Sequence, residues 1–250
     1  MDHMDLRELL QSWPYEPGRV NARRITGADN RPKLQVRIDL GVLQMEMEGR
    51  PDGQRPHDCE SLLAYQLDRR DRYASQCGDS ERFALSTDEC RALREEAVQY
   101  YHRYVALMSI GDFAGVMRDT TRNLQVCDLC RGHAAVEPDR TVMEQFRPHV
   151  IMMRARADAE GALAAGRKSE ALAAIDRGLA ALRSYLDASD HGVPYEQANE
   201  VQVLQGMRDA LVPKLPVSQR TELQERLQAA LDAENYELAA VLRDELRLLE

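Results

Sequence analysis

Cys127-Asp-Leu-Cys130, with His133 three residues on, is the one spacing in the chain that resembles a metal or dithiol site. Two thiolates so placed can share a zinc ion or cycle through a disulfide. A structural zinc site takes four ligands, usually two such pairs, and Cys59, Cys77 and Cys90 have no CxxC partner. Arg131 stands where a haem-attachment sequence needs histidine, so that chemistry is excluded. Cys127 also lies at helical spacing from Phe113, Met117, Thr120 and Leu124, and free cysteine is a common small core residue. The reading adopted is core with no cofactor; zinc held by Cys127, Cys130 and His133 is the alternative. On the core reading, Cys127→Ser loses stability and Cys130→Ser is nearly silent.

Gly49-Arg-Pro-Asp-Gly-Gln-Arg-Pro56 is the most unusual loop. It follows a predicted strand and precedes a predicted helix, so Arg50, Arg55 and open backbone amides form a candidate anion-binding or carboxylate-binding site. A polar reverse turn is the plainer reading of the same residues. No GxxxxGK[ST], GxGxxG, HExxH or GxSxG motif occurs. Glu95-Glu96 and the pair Asp187 and Asp190 fall on predicted exposed faces or helix ends, where solvated charge is expected. Tyr100, Tyr101 and Tyr104 recur at helical spacing and read as core. The expectation is a protein that is not an enzyme.

Lys plus Arg is 33 against 42 for Asp plus Glu, a formal charge of -9. A protein that binds nucleic acid nonspecifically by releasing counterions usually carries the opposite balance. Only Lys33, Lys168 and Lys214 are lysine; this bias is read as genomic and given no functional weight. No apolar run reaches the roughly 18 to 20 residues that span a bilayer. The first 13 residues do not resemble a signal peptide, so a cytoplasmic location and no membrane partner are expected.

These groups must be positioned by a mainly α fold with a small antiparallel β head. Leu34, Val36, Ile38 and Leu40 alternate with polar residues, and after Gly41 the parity shifts to Leu43, Met45 and Met47. Arg23 to Thr26 can pair with this strand across Gly27 to Pro32, giving two or three strands covered by a helix from Asp58 to Gln76. From Ser86 onward the pattern is helical. Ser86-Thr-Asp-Glu89 fits a capping box, and Leu93, Ala97, Tyr100, Tyr104 and Leu107 form one stripe. Gly111 and Gly166 break helical hairpins, a long helix is expected from Asp139 to Ala165, and Pro194 suits the first turn of a later one. The domain reading is an α+β head at 1–80, a stack of helical hairpins at 81–212 and a terminal hairpin at 213–250. The middle hairpins loosely resemble tetratricopeptide units, although the turn glycines lie 55 residues apart where that family repeats at about 34.

Residues 217 to 250 carry Leu223, Leu227 and Ala230-Leu231 on a first helix, Glu234-Asn-Tyr236-Glu at a turn, and Ala239-Ala240, Leu242-Arg-Asp244, Leu246 and Leu249 on a second. This pattern resembles the UVR motif, a helical hairpin shared by subunits of bacterial excision nuclease, class C Clp ATPases and the adaptor of the protein-arginine kinase. The resemblance implies a bacterial adaptor that docks a protein partner or a second copy. The alternative it implies is a DNA-repair accessory contacting nucleic acid. Independently of any family, Ala239, Leu242, Leu246 and Leu249 can bury against the first helix, which leaves Leu238, Val241 and Leu248 on a neighbouring face. With Tyr236 and Arg243, these are the expected interface residues.

Overall fold

The computed structural model describes residues 6–188, 193–211, 217–232 and 236–247. After a short helix α1 (Arg7–Ser12) come three strands, β1 (Asn21–Thr26), β2 (Pro32–Ile38) and β3 (Gly41–Glu46), paired antiparallel in that order. The register sets Ala22 beside Val36 and Leu43, and Arg24 beside Leu34 and Met45. The alternation therefore becomes one apolar face, as expected. Leu40 departs from that pattern. The β2 strand ends at Ile38, which pairs with Gly41, so Leu40 sits in the two-residue turn and is 88% exposed.

Helices make up the rest: α2 (Leu62–Cys77), α3 (Thr87–Ser109), α4 (Phe113–His133), α5 (Glu137–Thr141), α6 (Arg147–Ala164), α7 (Lys168–Ala188) and α8 (Asn199–Leu211). The terminal hairpin follows as α9 (Val217–Asp232) and α10 (Tyr236–Arg247). The start of α3 is set by the expected capping box. Ser86 Oγ accepts from the Glu89 amide at 3.2 Å, and the Glu89 carboxylate accepts from the Ser86 amide at 2.8 Å. Gly111 and Gly166 end α3 and α6 with φ of 75° and 72°. Each donates to the carbonyl three residues back while the next amide reaches five back, the Schellman arrangement that only a left-handed residue allows. The long helix expected from Asp139 to Ala165 is instead α5, a 3-10 turn at Glu144–Phe146 and α6. Pro138 and Pro148 occupy first-turn positions of α5 and α6, because a ring nitrogen without a proton starts a helix and does not continue one.

The sheet's apolar face is not covered by α2. Leu34, Met45 and Met47 pack into one core with Tyr104 and Leu107 of α3 and Val116 of α4, and that core continues through Met152, Ile175 and Leu204 to α8. α2 contributes Leu63 to a second core with Phe83, Leu85, Leu93, Val126 and Met143. Among the described residues, the head thus has no core separate from the helices it rests on. At Gly178, α7 approaches α6 so closely that an added Cβ would lie 2.4 Å from the Ala155 Cβ. No helix among the described residues is long and apolar enough to cross a membrane.

Candidate functional site

The terminal hairpin folds around its own small core. Ala230 of α9 meets Ala239 and Leu242 of α10, with Leu223 and Leu227 packed against them. Leu231 is read from the sequence as part of that contact, but it lies outward and is 44% exposed. One residue of helical rotation past Ala230 carries it off the seam. Leu238 and Val241, three residues apart on α10, are 42% and 57% exposed. Leu231, Leu238 and Val241 are thus the large apolar side chains that the hairpin leaves exposed among the described residues. Arg243 points elsewhere and pairs with its neighbour Asp244 at 3.3 Å. Leu248 and the side chain of Tyr236 lie outside the described residues.

The loop after β3 does meet a carboxylate, but one supplied by the chain. Ser61 caps α2, its side chain accepting from the Ala64 amide at 3.1 Å. The next two amides, Leu62 and Leu63, donate to the two oxygens of Glu96 at 2.8 and 3.3 Å. Arg50 Nε stands 3.6 Å from Glu96, its Nη2 is 3.1 Å from Asp52, and Arg122 pairs with Glu96 from the other side. A helix N-terminus, Arg50 and Arg122 thus receive one buried anion; of the two arginines expected to hold an anion, Arg50 takes part and Arg55 does not. Arg55 donates to the Asp58 carbonyl at 3.2 Å. The cavity beside the loop, about 280 Å³, is lined by Arg31, Arg50 and Arg55 and also by Glu46, Glu48 and Glu60, so no excess of positive charge marks it.

Glu96, expected in solvent, is fully buried. It belongs to a polar layer between the sheet, α2, α3 and α4. Arg103 makes a two-pronged pair with Asp119 at 2.7 and 2.8 Å, and its remaining nitrogen donates to the carbonyls of Glu46 and Gly49. Arg118 bridges Asp119, Glu48 and the Met47 carbonyl. The Tyr100 ring lies between the guanidinium groups of Arg103 and Arg122, 4.8 and 4.0 Å from its centre. Burial, and then the like charge of Arg50, pull Arg122 down to about 9. The arginine bias read as genomic therefore has structural use, because planar donor forks can satisfy a buried carboxylate as lysine cannot. A sequence signal existed: Glu96 and Arg103 fall three residues after Leu93 and Tyr100, on the buried stripe itself.

The CxxC cysteines are both core residues. Cys127 is 1% and Cys130 0% exposed, and they share the second core with Cys90. Cys90 packs with Cys127 and Cys130 in that core, and Cys127 Sγ lies 3.7 Å from the Met143 carbonyl. Burial pushes Cys127 up to about 11, and burial with the neighbouring Cys90 pushes Cys130 up to about 12, far from the thiolate that metal binding or redox exchange needs. His133 sets its ring edge against Phe83. No group of three or more His, Cys, Asp or Glu among the described residues is placed to hold a metal. The expected contrast between the two cysteines disappears, since Cys130 is as enclosed as Cys127. In urea unfolding, Cys127→Ser and Cys130→Ser should each lose on the order of 1 to 3 kcal/mol as a hydroxyl is buried. A silent Cys130→Ser would contradict this packing. Because a shared zinc site also predicts equal losses, metal content of the purified protein is the measurement that separates the two readings.

No curated protein and no solved structure matches the chain. The family match confined to the terminal hairpin agrees with its geometry: residues 218–250 fit the model of the UVR family, the UvrB/uvrC motif.

Proposed function

We propose that this protein is a non-enzymatic adaptor that docks a protein partner or a second copy through its UVR hairpin. One observation carries the reading: the segment that matches the motif closes a core of its own and still leaves Leu231, Leu238 and Val241 outward. Each leucine or valine gains about 1.5 to 3 kcal/mol on full burial, so a surface that covers two or three of them gains a substantial driving force. The charge of -9 is compatible with a protein partner and opposes nonspecific contact with phosphate backbones.

The test is a Leu238→Asp, Val241→Asp double variant in affinity purification from the native host, read by mass spectrometry and light scattering. Loss of two such burials amounts to about 3 kcal/mol, or about a hundredfold in Kd, so the partner or second copy should disappear from the captured material. Recovery of the same proteins and the same mass with both versions would reject the reading. The second reading, a DNA-repair accessory, draws its support from the motif's occurrence in excision nuclease subunits. Arg50 and Arg55 already have partners within the chain. Duplex binding at about 150 mM salt that survives in the double variant would favour it.

A further inference from the structure

We propose that α10 of each copy seats in a groove between α4, α6 and α7 of a second copy. The inference rests on the docking role of the hairpin and names its receptor. The groove encloses about 440 Å³. Met117 and Leu124 form one wall, Ile151 and Ala155 the floor, and Ala174 and Ala181 the other wall. At Gly178, α7 lies close against Ala155 of α6, and the short side chains of Ala155, Ala174 and Ala181 along the groove leave room for the edge of a helix.

Charge selects the occupant. Two of the three arginines along the groove are neutralised locally, Arg147 by Asp128 at 2.7 Å and Arg177 by Asp158 at 2.8 Å. The third, Arg154, is exposed and makes no ion pair among the described residues. On α10, Leu238, Val241 and Glu245 follow one another at steps of three and four, so one face presents two apolar side chains and then a carboxylate. Glu245 is also exposed and without an ion pair among the described residues. A groove whose apolar residues are rimmed by Thr121, Gln125 and ion pairs, with one unneutralised cation, is therefore matched by an apolar stripe ending in one unneutralised anion. Elsewhere a chain of net charge -9 repels an acidic helix, which favours this groove over other faces. Because every copy carries both halves, reciprocal exchange gives two equivalent contacts and closes at two copies.

Light scattering and sedimentation of the full chain decide it. Wild type should show twice the 28.4 kDa chain mass at micromolar concentration. Arg154→Glu and Glu245→Arg should each weaken association about tenfold, near 1.4 kcal/mol. Both side chains are exposed, so neither variant threatens the fold, and the two changes combined in one chain should restore most of the affinity. If Leu238→Asp, Val241→Asp dissociates the dimer while neither charge variant shifts it, the hairpin docks elsewhere; the groove assignment falls and the docking reading stands. If the hairpin variant has no effect on a dimer, the groove assignment falls, and the docking reading falls with it when the captured proteins are also unchanged. A monomeric wild type overturns the proposal, and so does a cross-link between positions 154 and 245 that forms only within one chain.

Discussion

Asp119→Ala should destabilise the protein by about 3–5 kcal/mol, the loss typical when one partner of a buried ion pair is removed. Asp119 has no exposed side chain and Arg103 is 1% exposed. Without the carboxylate, the guanidinium keeps the Glu46 and Gly49 carbonyls and the Tyr100 ring, and its charge stays inside the core without a counter-ion of its own. In urea, with a slope of about 1–3 kcal/mol per molar, the midpoint should fall by about 1 M or more, followed by far-ultraviolet circular dichroism. Arg103→Met combined with Asp119→Leu should recover much of this loss, since apolar residues of similar volume can replace a buried pair at little cost. A single Asp119→Ala variant within about 1 kcal/mol of wild type would show that the pair is not a structural hub.

Glu96→Ala is expected to be comparably damaging, about 3–5 kcal/mol, with a local signature. Its carboxylate accepts from the first two amides of α2 and faces both Arg50 and Arg122. Removing it exposes two helix-start donors and sets two arginines against each other. Hydrogen exchange should therefore accelerate at Leu62 and Leu63 well before the α6 and α7 amides respond. Adding Arg122→Met should restore part of the loss by removing one of the two like charges. Uniform acceleration across all helices, or none, would contradict this role for Glu96.

Much of the local structure was legible in the residues. Alternation from Lys33 to Leu43 marked the strands, Ser86 and Glu89 marked the start of α3, and Gly111 and Gly166 marked the turns. Leu238 and Val241 were also readable as a surplus seam, because a two-helix hairpin has one inner face and the pattern supplies more apolar residues than it can hold. The missed residues share a cause. Glu96 and Arg103 sit on the apolar stripe of α3, but a charged residue there reads as a flaw in the pattern until its partner is known.

The sequence by itself determined most of the elements, the cap of α3, the turns at Gly111 and Gly166 and the terminal UVR hairpin, because strands, caps and turns depend on residues within a few positions of one another; the break between α5 and α6 was not read from it. Only the tertiary structure decided which charges lie inside. Glu96 caps an amide 34 residues away, Arg103 pairs with Asp119 across 16, and Arg103 reaches the Glu46 carbonyl across 57. Burying each ion depends on a partner arriving from another element with the right geometry, and local periodicity holds no information about that arrival. The same holds for the sheet: alternation specified an apolar face, but packing chose α3 and α4 over α2 to cover it.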